Sequence, residues 1–289
     1  MPGPLSKTEV DRFYDEGFLV IPGVFTEREM TQIRLAFERL EHTAKQLEET
    51  SMHKGSYFVV DKVQEASSDA KHRIHRVVWC GAAESLLSSM GMHPKILRIA
   101  AQILGTSHMQ QLINQAHFKL PGDGVEFPWH QDSLHRRYGT KLWRDVNGQG
   151  SFVEICTAVD AMNPQNGGIH VIPGSCHKGH LRVDPTTRLL PEGSFNPSDA
   201  LSIIMPPGGL FLIHPYTIHG SFPNTSDQPR RLFLNGFAFP GANARIYPGK
   251  GSGRWLHARA NPIREREDKV FLVDDRTPVP SVGLTEPEK

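Results

Sequence analysis

Cysteine is scarce in this chain, and the three that are present, Cys80, Cys156 and Cys176, lie far apart. Because no two of them form a C-x-x-C pair, the sequence argues against a disulfide scaffold and against a thiolate zinc site. The first residues lack the basic and apolar regions of a signal peptide, and no apolar run approaches the roughly 18 residues of a membrane span. These absences predict a cytoplasmic protein that works without a membrane.

Net charge is also nearly absent. The 289 residues include 32 Lys and Arg against 31 Asp and Glu, which leaves a formal charge of +1. This balance argues against nucleic acid or another bulk polyanion as a partner, although it permits a local basic patch. We find no internal repeat and no linker, so the sequence predicts a single domain over residues 1–289. No pattern specifies an oligomeric state.

Residues 1–107 carry mainly helix signals. We expect a helix over Ser6–Gly17, a short strand at Phe18–Ile21, and a second helix that opens at Thr26 and runs to about Thr50. Thr26 and Glu29 have the spacing of a capping box. A third helix is expected near Pro94–Leu104, before Gly105. This region is therefore predicted to form a mostly helical layer.

From residue 108 to residue 240 the chain changes to short β-rich runs separated by Gly, Pro and Asn. Such a pattern indicates a sandwich or barrel rather than alternating strands and helices. The tail, 241–289, is rich in Gly and Arg and is expected to be irregular. The clearest predicted strands are Ser151–Val159, Ile169–Ile172, Gly209–Ile213 and Arg231–Phe239.

Histidine, in contrast to cysteine, is abundant, with 15 residues. His130 and Asp132 would point to the same face of a strand, because residues i and i+2 share a face. Together they supply two of the three ligands of a facial triad, which binds Fe(II) and leaves other positions open. On this spacing alone, a loop histidine paired with an aspartate is the simpler interpretation.

A second stretch of the sequence favours a metal site over this simpler interpretation. It contains two histidines, His214 and His219, and Arg230 follows His219 by 11 residues. A strand after this segment would bring Arg230 back beside the metal, where its planar guanidinium group suits the carboxylate of a 2-oxoacid. His214 stays open as an alternative ligand. Arg231 stays open as an alternative to Arg230, although adjacent strand residues face opposite sides.

The chain resembles the phytanoyl-CoA dioxygenase family of Fe(II)/2-oxoglutarate-dependent oxygenases. The resemblance covers most of the sequence, and the combination of its motifs is more specific than any single one. The segments that carry it are Phe13–Phe25, Trp129–Asp132, Asn166–Ser175, His219–Ser221 and Arg230.

This resemblance implies a mainly β fold, a double-stranded β-helix (a jelly-roll, cupin-like core) flanked by N-terminal helices. It implies His130, Asp132 and His219 as iron ligands. It also implies that Arg230, assisted by the hydroxyl of Ser221, anchors the distal carboxylate of 2-oxoglutarate. The implied cofactors are Fe(II), 2-oxoglutarate as co-substrate, and O2.

Two details concern how closely the chain follows the family. Cys176 interrupts the P-G-S-H pattern that the family commonly has, which leaves the role of His177 open. Asp132 is present where related halogenases carry a small residue, so hydroxylation is the expected reaction.

Further candidates come from two predicted strands. Alternation places Gln115, His117 and Lys119 on one face and Asn114 on the other. In the family that the chain resembles, this strand offers polar groups to the co-substrate or substrate. We therefore consider Asn114, Gln115 and Thr157 as 2-oxoglutarate contacts and His117 as a substrate contact. Ordinary hydrogen bonding between strands is the alternative.

A cationic run directly follows the proposed ligands, and it suits a phosphonate, phosphate or carboxylate group. The sequence therefore predicts a hydroxylase for a small, polar, anionic metabolite, such as an alkylphosphonate. A natural-product tailoring oxygenase and a non-catalytic metal or 2-oxoglutarate sensor are the alternatives. A zinc hydrolase would have no use for the arginine. The residues of the run considered as substrate contacts are His135, Arg136, Arg137 and Tyr138.

Overall fold

The computed structural model describes residues 4–47, 49–62, 72–184, 186–187, 189–244, 254–258 and 264–266. Five α-helices lie in this part of the chain. None of the described helices is long and apolar enough to cross a membrane. The helices are α1 (Lys7–Glu16), α2 (Glu27–Ala44), α3 (Ser85–Gly91), α4 (Pro94–Leu104) and α5 (Asp132–Arg136).

The helix starts follow the capping signals in the sequence. Thr26 accepts a hydrogen bond from the Glu29 backbone while the Glu29 side chain accepts one from the Thr26 backbone, which confirms the predicted capping box. Helix α4 ends before Gly105, whose positive φ of 67° is easily adopted by glycine. Helix α2 ends at Ala44 rather than near Thr50, because the stripe of buried side chains ends there.

The described strands form two antiparallel sheets. In the large sheet the order is β1-β10-β7-β12-β5-β4-β3-β2, and β13 also pairs with β5 and with β14. In the small sheet the order is β6-β11-β8-β9. The strands are β1 (Phe18–Ile21), β2 (Ser51–His53), β3 (Ser56–Lys62), β4 (His72–Val78), β5 (His108–Lys119), β6 (Phe127–His130), β7 (Phe152–Ala158), β8 (Ile169–Val171), β9 (Leu201–Ser202), β10 (Leu210–Ile213), β11 (His219–Ser221), β12 (Arg230–Ala238), β13 (Arg254–His257) and β14 (Arg264–Arg266).

The two faces of the large sheet have different surroundings. Leu232 and Leu234 of β12 pack with Ile169 of the small sheet, and we call this side the inner face. Phe233 and Phe237 pack with residues of the helices, and we call this side the outer face. Because strand side chains alternate, each inward residue is followed by an outward one unless a bulge intervenes.

The mainly β class is confirmed, and β7, β8, β10 and β12 lie where the sequence predicts strands. The described strands make two facing sheets and not one closed barrel. The N-terminal layer contains more strand than expected, because β2, β3 and β4 extend the large sheet beyond β5. Of the tail, β13 and β14 are strands rather than irregular chain, and the rest of that prediction lies outside the described residues.

Candidate metal centre

The three proposed metal ligands meet at one end of the small sheet. His130 ends β6 and His219 begins β11, and the two residues lie directly opposite each other in the antiparallel register. Their ring centroids are 4.3 Å apart. Asp132 is the first residue of α5, which follows β6 after a single residue. A strand pairing therefore joins two residues that are far apart in sequence.

The donor atoms of these side chains converge. The Nε2 atoms of His130 and His219 each lie 3.8 Å from Oδ1 of Asp132. All three potential ligand atoms lie within 4.8 Å of one another. His214 lies elsewhere, where its Nε2 donates to the carbonyl of Gln149 and its ring packs against Phe13. The structure thus brings His219, and not His214, to the centre.

Backbone carbonyls set the orientation of both imidazoles. Nδ1 of His130 donates to the carbonyl of Pro128 at 2.7 Å, and Nδ1 of His219 donates to the carbonyl of Thr217 at 3.0 Å. A ring that carries its proton on Nδ1 has a free lone pair on Nε2. Both lone pairs are therefore available at the centre, as in metal sites where outer hydrogen bonds fix the histidine tautomer.

The charges at the centre also fit a divalent cation. Burial, together with the neighbouring His219, lowers the pKa of His130 to about 4, so this ring is neutral at neutral pH. Burial opposes ionisation of Asp132, yet the surrounding His219 and His130 leave its pKa below the usual value. Its Oδ2 is buried and has no hydrogen-bond partner among the described residues. Two imidazoles and one carboxylate form the donor set of a non-haem Fe(II) facial triad.

A group of buried cations lies beside the small sheet. Arg230 is 2% exposed, and its Nε and Nη2 donate to the carbonyl of Gly167 at 3.1 and 2.9 Å. Lys119 lies opposite Arg230 in the β5–β12 register and donates to Oγ of Ser221 at 2.8 Å. Neither cation forms an ion pair within the described residues. A carboxylate would supply the anion that this pair lacks.

Lys119 is a site residue to which the sequence analysis assigned no role. The alternation of side chains along the strand was the available signal, because it places Lys119 on the same face as Gln115 and His117. Burial, reinforced by Arg230, lowers the pKa of Lys119 to about 7. The pKa of Arg230 is likewise lowered by burial, to about 10, so Arg230 keeps its charge at neutral pH. Position 119 therefore provides a cation whose charge depends on pH near neutrality.

Arg231, the alternative to Arg230, points the other way. Its Nε and Nη2 each donate to a carboxylate oxygen of Asp160 at 2.8 Å, and its charge lies near Glu38 and Glu41 of α2. This bidentate pair already satisfies the guanidinium group on the outer face. Arg230 is thus the arginine on the inner face.

The inner face of β5 carries two of the candidates named from sequence. Nε2 of His117 is hydrogen-bonded to Oε1 of Gln115 at 2.8 Å, and the His117 ring stacks on Phe127 of β6 with centroids 5.6 Å apart. Arg76 of β4 lies opposite His117, and its Nε is buried without a partner among the described residues. Burial and the charge of Arg76 keep the pKa of His117 well below its usual value. Arg76 is a second cation that the sequence analysis missed.

Asn114 lies on the outer face, away from the metal centre. Its Oδ1 accepts from the backbone N–H of Gly81 at 2.8 Å, and its Nδ2 donates to the carbonyl of Leu87 and to Oδ1 of Asn235. These bonds connect β5 and β12 to α3 and the turn before it. This placement corrects the expectation that Asn114 contacts the co-substrate, because every described partner of its amide belongs to the scaffold.

Thr157 also faces outward. It has the same parity as Val153 and Ile155, which pack with the helices. Glu154 and Cys156 occupy the inner positions of β7 instead. The Oγ1 of Thr157 is buried without a hydrogen-bond partner among the described residues. The structure therefore corrects the expectation that Thr157 faces the co-substrate.

This placement predicts the effect of a Thr157→Val substitution. Valine keeps the shape of threonine and removes a buried hydroxyl that has no partner, so we expect a gain in stability of about 1 kcal/mol. In a chain of this size the melting temperature would rise by about 2 °C. The dissociation constant for 2-oxoglutarate should stay the same. A melting temperature that falls, or weaker binding of 2-oxoglutarate, would show that the hydroxyl has a partner at the site.

Helix α5 brings two of the four candidate substrate contacts to the centre. The ring of His135 meets that of His130 edge-on, with centroids 5.5 Å apart, and both His135 and Arg136 lie near Asp132. Burial, with His130 nearby, lowers the pKa of His135 to about 3. Arg137 ends the helix in a left-handed conformation. Tyr138 is buried and stacks on Trp143 at 5.0 Å, which makes it a packing residue of the inner core.

Known proteins are similar to this chain in sequence and in fold. L-proline trans-4-hydroxylase from Streptomyces griseoviridis is 25% identical over 260 residues, which cover 80% of this chain and 85% of the relative. A probable alpha-ketoglutarate-dependent hypophosphite dioxygenase from Stutzerimonas stutzeri is 25% identical over 257 residues, which cover 84% of this chain and 80% of the relative. EvdO2 from Micromonospora carbonacea var. aurantiaca, solved with 2-oxoglutarate, has a similar fold, with a TM-score of 0.59, 23% identity, and coverage of 86% and 97%.

A family model gives the broadest assignment. The model described as phytanoyl-CoA dioxygenase matches residues 13–232, from the end of α1 into β12. That range contains the three converging ligands and the buried cations on β5 and β12. Because the match spans most of the chain, the protein belongs to the phytanoyl-CoA dioxygenase family.

Proposed function

We propose that this protein is an Fe(II)/2-oxoglutarate-dependent dioxygenase that hydroxylates a small, polar, anionic metabolite. The observation that carries the proposal is the convergence of His130, Asp132 and His219 beside a buried pair of cations, Lys119 and Arg230. A metal site alone would not require the two buried cations. An anion site alone would not require two imidazoles whose Nε2 lone pairs face the centre. Both together fit a metal that shares its site with a dicarboxylate.

Different side chains of the site would bind the metal and the co-substrate. His130, Asp132 and His219 would hold Fe(II), which, when bound, supplies the chemistry that couples oxidation of substrate by O2 to conversion of 2-oxoglutarate into succinate and CO2. Arg230 and Lys119 would bind the distal carboxylate of 2-oxoglutarate, with Ser221 as a hydrogen-bonding partner. Gln115 lies on the same face of β5 and could donate an amide hydrogen bond to the co-substrate.

The cations nearer the metal favour a substrate with an anionic group. Arg76 lies near His117 and Arg136 lies near Asp132, and neither arginine forms an ion pair in the described part of the chain. The relatives named above are a hydroxylase of proline and a probable dioxygenase of hypophosphite, both small and polar compounds. A carboxylate or an alkylphosphonate would suit these cations. The near-zero net charge supports a small anion rather than nucleic acid.

The setting that we propose is the cytoplasm. Cys80, Cys156 and Cys176 are all free and buried. Free thiols and a site for ferrous iron both suit a reducing compartment.

The proposal is tested by anaerobic addition of Fe(II) and 2-oxoglutarate to the metal-free protein. Chelation of the metal by the 2-oxoacid should produce a visible absorption band, and admission of O2 with the right substrate should then release succinate. A protein that forms the band but releases no succinate with any tested compound would fit a sensor. A protein that forms no band, although it is folded and binds Fe(II), would contradict the proposal.

Lys119 predicts a pH dependence for 2-oxoglutarate binding. Its lowered pKa of about 7 means that the free protein carries this positive charge below neutral pH and loses it as the pH rises. Since the carboxylate binds the charged form, the dissociation constant should rise above pH 7, by up to about tenfold per pH unit. Anaerobic titration of the absorption band with 2-oxoglutarate, from about pH 6 to about pH 9, measures this dissociation constant.

Lys119→Met is the matched variant for that titration, because it keeps the apolar stem and removes the titrating group. We expect its dissociation constant to be higher at low pH and nearly flat across the range. The same slope in Lys119→Met and in the unaltered protein would assign the pH dependence to another group.

A further inference from the structure

A pair of histidines lies at the end of β5 that is opposite the cation Lys119. His108 begins β5 and His257 ends β13, and the two residues lie directly opposite each other in the antiparallel register. Strand β5 has 12 residues, so at about 3.3 Å per residue His108 lies about 35 Å from Lys119 along the strand. The histidine pair is therefore separate from the site proposed for 2-oxoglutarate.

The pairing of β5 with β13 sets the two side chains close together. The backbone N–H of Ala258 donates to the carbonyl of Ser107 at 2.8 Å, just beyond the histidine pair. Hydrogen-bonded and non-hydrogen-bonded positions alternate along an antiparallel ladder, so His108 and His257 occupy a non-hydrogen-bonded position. Opposite Cα atoms are only about 4.5 Å apart there, and side chains approach each other more closely than at the neighbouring positions.

One nitrogen of each imidazole ring faces a common point. The ring centroids of His108 and His257 are 4.2 Å apart, with an interplanar angle of 76°. Nδ1 of His108 lies 3.5 Å from Oγ of Ser107, and Nε2 of His257 lies 3.3 Å from the same oxygen. A contact between two rings does not by itself require a nitrogen of each to approach one hydroxyl group. The two nitrogens are therefore arranged as a pair of donors.

The histidine pair is accessible to ions from solvent. Met109 and Leu256, the adjacent residues on the two strands, are buried in the helix-side core. Because side chains alternate along a strand, His108 and His257 point to the opposite side of the sheet. His108 and Ser107 are exposed there, and His257 is half-buried. An ion can thus reach both rings without entering the space between the sheets.

Two imidazoles at this spacing suit a divalent transition metal. Imidazole nitrogen is a good ligand for zinc, copper and nickel, whereas magnesium and calcium prefer oxygen. Zinc–nitrogen bonds of about 2.0–2.1 Å at a tetrahedral angle place the two nitrogens roughly 3.4 Å apart. Rings whose centroids lie 4.2 Å apart are compatible with that separation. The hydroxyl of Ser107 would then hydrogen-bond to a water molecule that completes the shell of the metal.

We propose that His108 and His257 bind a zinc ion that joins β13 to β5. Among the described strands, β5 is the only one that connects β13 and β14 to the rest of the large sheet. A metal that binds the folded protein and not the unfolded chain stabilises the folded arrangement. Zinc would therefore hold β13 and β14 in place. This role is structural and does not depend on the reaction at the metal centre.

Zinc titration of the metal-free protein, measured by competition with a chromophoric chelator, tests the site. We expect two bound equivalents, one at the metal centre and one at the histidine pair. His108→Asn should bind the second equivalent at least about tenfold more weakly, since even the loss of a group that only orients a ligand costs that factor. Asp132→Ala should weaken the other equivalent, so that the two variants affect different ions. Unchanged affinity and stoichiometry in His108→Asn would overturn the inference.

Hydrogen exchange distinguishes a zinc ion that joins the strands from one that binds loosely at the surface. At a free zinc concentration ten times the dissociation constant, opening of β13 should become about tenfold rarer, and the amides of Arg254–His257 should exchange about tenfold more slowly. His108→Asn should lose this protection, although zinc at the metal centre is present in both proteins. Zinc that binds the histidine pair without slowing exchange in β13, or protection that survives in His108→Asn, would contradict the proposal.

His42→Asn is the matched control for both measurements. His42 is exposed on α2 and lies outside the histidine pair. Its replacement removes one imidazole from the surface, as His108→Asn does, and should leave both zinc equivalents and the protection of β13 intact. Loss of the second equivalent in His42→Asn would place the zinc elsewhere and would overturn the assignment to His108 and His257.

Discussion

Replacing Asp132 with alanine is expected to abolish Fe(II)-dependent succinate formation and to weaken Fe(II) binding by at least about 100-fold. Changes to groups that merely orient metal ligands already cost up to that factor, and Asp132 is the anionic donor of the cluster. Its Oδ1 lies 3.8 Å from both imidazole Nε2 atoms, so no rotation of His130 or His219 would replace it. Metal titration and succinate release measure the two effects.

The control for this substitution is Asp15→Ala, because Asp15 is exposed on α1 and lies outside the centre. It should bind iron and turn over as the unaltered protein does. Circular dichroism of Asp132→Ala should show an intact fold, since the side chain makes no hydrogen bond through its buried Oδ2. Full turnover by a folded Asp132→Ala variant would disprove the ligand assignment.

Replacing Arg230 with glutamine is expected to raise the KM for 2-oxoglutarate by about 100-fold, the combined contribution of two charge-assisted hydrogen bonds. The value of kcat at saturating 2-oxoglutarate should fall much less, because Arg230 binds the end of the co-substrate that is remote from the metal. Lys119 would remain as a weaker anchor beside Ser221. Steady-state kinetics with varied 2-oxoglutarate, together with anaerobic titration of the absorption band, measures the change.

Arg231→Gln is the informative comparison, because it alters the adjacent arginine on the opposite face. It breaks the bidentate pair with Asp160, so we expect a lower melting temperature and an unchanged KM for 2-oxoglutarate. Arg28→Gln, on the exposed surface of α2, should change neither property. An unchanged KM in Arg230→Gln with a raised KM in Arg231→Gln would reverse the assignment of the two residues.

Backbone hydrogen bonds orient both imidazoles toward the centre. Both Nδ1 atoms donate to carbonyls two residues earlier in the chain, Pro128 for His130 and Thr217 for His219. These local bonds fix the orientation of each ring. The centre is therefore built from two similar short segments that the β6–β11 pairing sets side by side.

Much of this arrangement could be predicted from sequence because it depends on short spacings. The i, i+2 spacing of His130 and Asp132, the capping box at Thr26, and the strands of the central sheet are all local patterns. Adjacent residues of a strand face opposite sides. Arg230 is therefore placed on the inner face once Arg231 is assigned to the outer face. The family resemblance added the third ligand, His219, which no local spacing connects to the other two.

The faces of the buried strands were decided only by the tertiary structure. Every residue of β7 is buried, so its sequence has no alternation of polar and apolar residues to mark the inner side. Thr157 was therefore assigned to the wrong face, and Glu154 was overlooked. In β5, Asn114 was considered for the site although its parity opposed that of Gln115, and the structure shows it bound to the scaffold.

Composition and short motifs are enough to indicate the chemistry of this protein: a chain poor in thiols, with two histidines and an aspartate suited to iron and an arginine suited to a carboxylate. Which other charges join them depends on contacts between distant strands. Lys119, Arg76 and Glu154 reach the inner face through the pairing of β4, β5, β7 and β12, strands that are widely separated along the chain. Such pairings follow from packing of whole sheets against each other, and no short segment encodes them.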